Sequence, residues 1–137
     1  MKPALIDTDI LSLFLRGEPA VVSRFAAYLQ AFDRLNISII TYYEILSGLR
    51  YRDANKQLER FLELIHNNNL LPLTVDACGI AAMLYADLRK QGNPINDIDL
   101  LIAGIALENK LVIATRNVGH FNRVQGLTVE DWTKGPP

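Results

Sequence analysis

Acidic and amide residues stand at the ends of several short apolar runs in this 137-residue chain. Asp7-Thr8-Asp9 follows the run 3–6, and Glu44 comes shortly after the run 35–40. Thr115-Arg116-Asn117 follows the run 111–114, while Asp97 and Asp99 come just after the loop Gly92-Asn93-Pro94. Carboxylates gathered in one place repel, and each raises the pKa of the others unless a cation compensates. No lysine adjoins any of them in sequence. The economical compensator is a hard divalent cation, Mg2+ or Mn2+, which takes oxygen ligands and keeps several waters. Two such ions roughly 3.5–4 Å apart can activate a water and steady the leaving oxygen in phosphodiester hydrolysis.

Each of these residues also has an ordinary structural role. Asp7 and Asp9 suit the cap of a following helix. Thr41-Tyr42-Tyr43-Glu44 fits the S/T-x-x-E capping box. Asp97 is a natural N-cap, and Asp99 beside it would complement the helix dipole. Thr115 reads as a turn hydroxyl, and Asn117 as the cap of a short helix starting at 118. Taken singly, each structural role is the commoner one; the joint placement is what favours chemistry. His66 and His120 lie far apart in the chain and make no metal pair, so neither is given a role.

The elements that would position these residues follow from periodicity. Runs 3–6, 35–40, 70–73, 111–115 and 127–129 read as strands, being short and apolar, with 35–40 rich in β-branched residues. Segments 10–16, 20–32, 41–51, 53–67, 74–90, 97–109 and 118–123 read as helices; in 20–32, Val22, Phe25, Ala26 and Leu29 recur at helical spacing. Strands alternating with helices predict a three-layer α/β/α fold around a mainly parallel sheet of about five strands. Ligands of such sheets bind beyond the carboxyl ends of the strands, where strand order reverses. The acids named above would converge there.

Composition bounds the rest. Half the residues are apolar and 21% are charged, and the net charge is −1. That balance argues against indiscriminate nucleic-acid binding, so a grip on RNA would need a local basic patch. The single cysteine, Cys78, excludes an intramolecular disulfide, and nothing in its spacing suggests zinc. Without repeats or linkers, residues 1–134 are expected to form one domain followed by a loose tail at 135–137. The first apolar run is broken by Asp7 too early for a signal peptide. The longest apolar stretch, 100–107, is far shorter than the ~20 residues that cross a bilayer. The expectation is a soluble, cytoplasmic protein with no membrane association.

Ordered along the chain, the motifs resemble those of a PIN domain. The opening Leu5-Ile6-Asp7-Thr8-Asp9-Ile10-Leu11 is similar to the first of them, and Thr41-Tyr42-Tyr43-Glu44-Ile45-Leu46-Ser47-Gly48-Leu49 to the second. Gly92-Asn93-Pro94-Ile95 with Asp99-Leu100-Leu101-Ile102-Ala103 resembles the third. The last is matched by Leu111-Val112-Ile113-Ala114-Thr115-Arg116-Asn117, His120-Phe121 and Val124-Gln125-Gly126-Leu127, with Val129-Glu130-Asp131-Trp132 closing the set. The ordered set is most similar to the VapC-type toxins of VapBC toxin–antitoxin pairs.

The resemblance implies a homodimeric, Mg2+- or Mn2+-dependent endoribonuclease silenced by a cognate antitoxin. It implies transfer RNA, cut in the anticodon region, or a loop of large-subunit ribosomal RNA as the substrate. The family's acids carry over to Asp7, Glu44 and Asp99 as catalytic, metal-binding residues; the fourth position falls on Asn117, an amide that brings no charge. Asp97 points about 200° from Asp99 on a helix, so only one of the two faces the pocket, and the resemblance selects Asp99. Asp9 and Thr115 would support these ligands from behind. Arg50, Arg52 and Arg116, with Lys56 and Arg60, are candidate phosphate contacts, although charge runs of this kind usually form a solvated face. An apolar strip of Leu11, Phe14, Leu46 and Leu49 would receive the antitoxin. Two other readings compete: a haloacid-dehalogenase-like phosphatase built on Asp7 and Asp9, and a catalytically weak PIN-like binding module. The phosphatase also requires a lysine near a later strand end, and none follows the runs 35–40, 70–73 or 111–114.

Overall fold

The computed structural model describes residues 1–135. Its strands are β1 (Ala4–Ile6), β2 (Asn36–Ser38), β3 (Asn69–Leu71), β4 (Val112–Ala114) and β5 (Val129–Glu130). Between β1 and β2 run α1 (Thr8–Leu15) and α2 (Pro19–Phe32); between β2 and β3, α3 (Ile39–Tyr51) and α4 (Asn55–His66). Helices α5 (Val75–Lys90) and α6 (Asp97–Glu108) connect β3 to β4, and the single-turn α7 (Val118–Phe121) leads to β5. Every strand pairing is parallel, in the order β3-β2-β1-β4-β5. The three-layer expectation holds.

The central strand shows why. Ala4, Leu5 and Ile6 have no exposed surface, so β1 is buried on both faces, as a parallel strand covered by crossover helices must be. Side chains alternate across it: Ala4 and Ile6 belong to a core with Phe25, Phe61 and Trp132, whereas Leu5 packs into another with Ile102, Ile105 and Phe121. The two cores are built differently. On the first face aromatic rings interlock, with Phe14 stacked on Phe25 at 4.1 Å and Trp132 edge-on to Phe25 at 5.7 Å. On the second face α5 and α6 approach closely over small residues, Ala77 and Ala81 against Gly104.

Several boundaries differ from the sequence reading. Ile39 and Ile40 open α3 instead of extending β2, because the Ser38 hydroxyl caps the helix by accepting from the Thr41 backbone N–H at 3.0 Å. A cap so placed overrides the β preference of two isoleucines. The same fact dissolves the expected capping box, since Thr41 lies inside the helix and is fully buried. At α6 the cap is Asn96, whose side-chain oxygen accepts from the Asp99 N–H at 2.9 Å; Asp97 is the next residue and is exposed. The expected loose tail is tethered at Gly135, whose carbonyl accepts from buried Arg24 at 2.9 Å. Residues 136 and 137 of that expected tail lie outside the described residues.

A β-carbon at Gly104 would lie 2.4 Å from the Ala77 carbonyl oxygen, a backbone atom that can move only with its helix. Gly104→Ala gains up to about 1 kcal/mol of helix propensity but forces α5 and α6 apart, which costs about 1–3 kcal/mol or more. Urea unfolding is expected to show a net loss of stability. A midpoint equal to or above that of the parent would mean that the helices are not in register over this glycine.

Candidate active site

Strand order reverses between β1 and β4, and the register there decides which residues meet. Ile6 pairs with Ala114, and the Asp7 N–H donates to the Ala114 carbonyl at 2.9 Å, bringing Asp7 level with Thr115. The Thr115 hydroxyl donates to Asp7 Oδ2 at 2.8 Å, while Asp7 Oδ1 accepts from the Thr8 N–H at 2.8 Å and so caps α1. Asp7 therefore has its structural role and its place in the cluster at once. Asp9 reaches the same edge: its Oδ2 accepts from the Arg116 N–H at 3.0 Å, and its Oδ1 is buried with no hydrogen-bond partner.

Glu44 enters from α3. Its Oε1 accepts from the Thr8 hydroxyl at 2.6 Å, and the same hydroxyl lies 2.9 Å from Thr41 Oγ1. Thr8, which the sequence reading passed over, thus links the helix behind Asp7 to Glu44. The only hint lay in its place between two acids. Asp99 enters from α6 with Oδ2 as the hub of a polar group: Asn96 Nδ2 donates at 3.0 Å, Asn117 Nδ2 at 3.4 Å, and His120 Nδ1 lies at 3.0 Å. His120, given no role from sequence, belongs to this cluster. It stands three residues after Asn117, one turn on, and its Nδ1 is 2.8 Å from the Asn117 amide nitrogen. Asn117 occupies the cap position of α7 without any side-chain capping bond, so its side chain serves the cluster and not the helix.

The basic residues are distributed less evenly. Arg116 is exposed beside Asp9. Arg52 and Arg16 line a groove of about 430 Å³ that begins at Thr8 and Glu44. Arg50 is exposed and stands outside that lining. The expected apolar strip is only partly a surface. Leu11 and Leu49 are buried and pin α1 and α3 to the first core, while Phe14, stacked on Phe25, and Leu46 are half-buried against it.

Electrostatically the cluster is short of positive charge. Burial, then the neighbouring Asp9 charge, pushes the Asp7 carboxyl up to about 7; Asp99 adds to the rise, and the hydrogen bonds from Thr115 and Thr8 oppose it. Burial likewise raises Asp9 against the bond from the Arg116 backbone. Among the described residues no lysine hydrogen-bonds or ion-pairs with Asp7 or Asp9. The unpartnered Asp9 oxygen and the all-oxygen character of Asp7, Asp9, Asp99 and Glu44 suit a hard divalent cation. Among the described residues no three acids, histidines or cysteines form a ready-made cage. Mg2+ does not require one, since it is bound through one or two carboxylates and keeps several waters.

A PIN domain family model matches residues 4–127. The chain belongs to the PIN domain family. It is 34% identical to ribonuclease VapC1 of Haemophilus influenzae (strain R2866) over 131 residues, 95% of this chain and 98% of that protein. It is 31% identical to the tRNA(fMet)-specific endonuclease VapC of Shigella flexneri, covering 97% of this chain and all of the relative. Among solved structures, VapBC-1 from nontypeable Haemophilus influenzae superposes with a TM-score of 0.84 at 31% identity, over 96% of this chain and 98% of that one. Within the PIN fold, the acids here occupy the carboxyl edge at the β1/β4 reversal, the place a parallel sheet reserves for ligands.

The raised Asp7 value has a sign that can be checked. Its folded-state pKa lies above the ordinary 3.8, so the contribution to stability is complete below about pH 4 and is lost as pH rises through about 7. In EDTA, the stability of the parent minus that of Asp7→Asn should fall across this window. Added Mn2+ should raise the parent's melting temperature more at about pH 8 than at about pH 5, because the ion requires ionised ligands. A difference that stays flat with pH would show that Asp7 is not held by burial and like charge.

Proposed function

We propose that this chain is a cytoplasmic, Mg2+- or Mn2+-dependent endoribonuclease acting as the toxin of a toxin–antitoxin pair. The observation that carries this reading is the meeting of Asp7, Asp9, Asp99 and Glu44 at one sheet edge, with an unpartnered buried carboxylate oxygen among them. Two relatives alike over nearly the whole chain are named as a ribonuclease and as a tRNA(fMet)-specific endonuclease, which supports RNA, transfer or ribosomal, as the substrate. The VapBC structure that superposes on the chain supports an antitoxin as its partner, and a homodimer belongs to the same reading. No helix among the described residues is long and apolar enough to cross a membrane.

Asp7, Asp99 and Glu44 would hold the metal. When bound, a divalent ion offers Lewis-acid charge to a phosphodiester and a nucleophile drawn from water. The chain's own residues do the positioning. Thr115 holds Asp7 from the neighbouring strand, and Thr8 fixes Glu44. Asn96 and His120 orient Asp99, and Arg116, exposed beside Asp9, would meet a phosphate there. Asn117 brings an amide to the Asp99 group where an acid is the family expectation, so the set carries one negative charge fewer.

RNA cleavage tests these roles. Asp7→Asn and Asp99→Asn should each lose roughly a hundredfold or more, because losing the ion removes several kcal/mol of charge stabilisation. Asp97→Asn, exposed and not the helix cap, should keep its rate and lose at most about 1 kcal/mol of stability. Should Asp97→Asn inactivate as fully as Asp99→Asn, the metal assignment on α6 is wrong. Asn117→Asp should shift the Mg2+ activation curve to lower concentration by adding a charged oxygen. An unchanged curve would remove Asn117 from the metal site.

A further inference from the structure

The groove that opens from Glu44 is unlike the acidic edge it joins. Thr8 and Glu44 form one end, Leu15 and Ile45 contribute apolar walls, and Arg16 and Arg52 line it further along. Arg16 follows Thr8 by eight residues on α1, and Arg52 follows Glu44 by eight on α3. Both helices start at the carboxyl ends of adjacent parallel strands and run away from the acids. At 1.5 Å per residue the Cα atom of each arginine lies about 12 Å beyond the acidic end.

Two further observations concern the arginines themselves. Among the described residues neither has a carboxylate within ion-pair distance, although both line the groove that has Glu44 at its end. Arg52 also folds back along its own helix: its Nη1 lies 3.3 Å from where a β-carbon on Gly48 would be, so the guanidinium rests over a bare stretch of the groove. Both residues are helix C-caps, where a cation complements the dipole. That role explains a cation at each helix end; it does not require the guanidinium to lie along the groove over Gly48.

We propose that this groove holds the single-stranded RNA segment next to the scissile phosphate, with Arg16 and Arg52 gripping its backbone. The proposal rests on the ribonuclease reading above and adds to it a direction for the bound strand. The Arg52 guanidinium, folded back over Gly48, lies about 6 Å along the helix from Glu44, roughly two stacked nucleotides at 3.4 Å each, and the Arg16 anchor lies further along. The guanidinium forks suit phosphate oxygens, and the groove's volume of about 430 Å³ falls within the range of small-ligand sites. A chain with net charge −1 cannot rely on a general field to hold RNA, so unpaired arginines at a fixed distance from the acids supply the attraction locally. Contacts of this kind position the strand without reading its sequence.

The test is binding of a labelled single-stranded oligouridylate in EDTA, where nothing is cut, followed by cleavage of the same RNA with Mn2+. Arg16→Ala and Arg52→Ala should each flatten the slope of log K against log salt by about 0.7, an affinity loss of about fivefold at 0.1 M salt. In cleavage, KM should rise by a similar factor while kcat stays nearly constant. Gly48→Ala, which crowds the Arg52 guanidinium, should act in the same direction as Arg52→Ala, and Arg89→Ala on α5 should leave binding and slope unchanged. Parent protein that binds and cleaves RNA with affinity and slope indifferent to Arg16 and Arg52 would overturn this proposal alone, leaving the arginines to the helix dipole. Parent protein that neither binds nor cleaves RNA would overturn the ribonuclease reading as well. Loss of binding to an acidic peptide such as oligoglutamate, with RNA affinity intact, would assign the groove to a protein segment and also overturn it.

Discussion

Burying the Asp7 carboxylate at the end of the central strand costs free energy that its hydrogen bonds return only in part. Thr8 and Thr115 donate to it, yet burial and the charge of Asp9 still push its pKa to about 7. A carboxylate placed in this way tolerates its surroundings either by taking up a proton or by meeting a cation. The local backbone permits no third course, because Asp7 is at once the last rung of the β1–β4 pairing and the cap of α1. Moving the side chain would free the Thr8 N–H at the start of α1 and the Thr115 hydroxyl together. The fold thus holds in place a carboxyl that is relieved either by a proton or by a cation.

The layers around the sheet keep that point fixed. On one face, interlocked aromatic rings join α1 and α2 to the C-terminal Trp132. Buried Arg24 ties the same region to Glu130, whose backbone carbonyl accepts from the Thr115 N–H. On the other face, α5 and α6 pack over alanines and Gly104, and α6 delivers Asp99 in its first turn. The acids thus come from helices held by two independent cores. Such an arrangement holds the carboxylates together against their mutual repulsion.

Charge is segregated along the active edge. Asp7, Asp9 and Asp99 lie at the β1/β4 reversal, while the unpaired guanidiniums of Arg16 and Arg52 stand along the groove that leaves it past Glu44. Near-zero net charge is thereby compatible with binding a polyanion, since what matters at short range is the local arrangement and not the sum.

The alternation of apolar runs with helical periods was enough to read the layers, the parallel sheet and the strand ends, because periods of two and 3.6 are local properties of the chain. The PIN motifs, read as an ordered set, marked Asp7, Glu44 and Asp99, which tertiary structure brings to the same edge. Local patterns misled where a cap competed with a propensity. Ser38 turned two isoleucines into the first turn of α3, Asn96 took the cap expected of Asp97, and Leu11 and Leu49 of the apolar strip went to the core. The contacts of Thr8 with Glu44 and of His120 with Asp99, and the convergence of Arg16 and Arg52 on one groove, join residues 36, 21 and 36 positions apart. Such pairings depend on strand register and helix packing, which a one-dimensional pattern does not contain. The residue types were set by the sequence; their distances, and the raised pKa of Asp7 that follows from them, were decided by the tertiary fold.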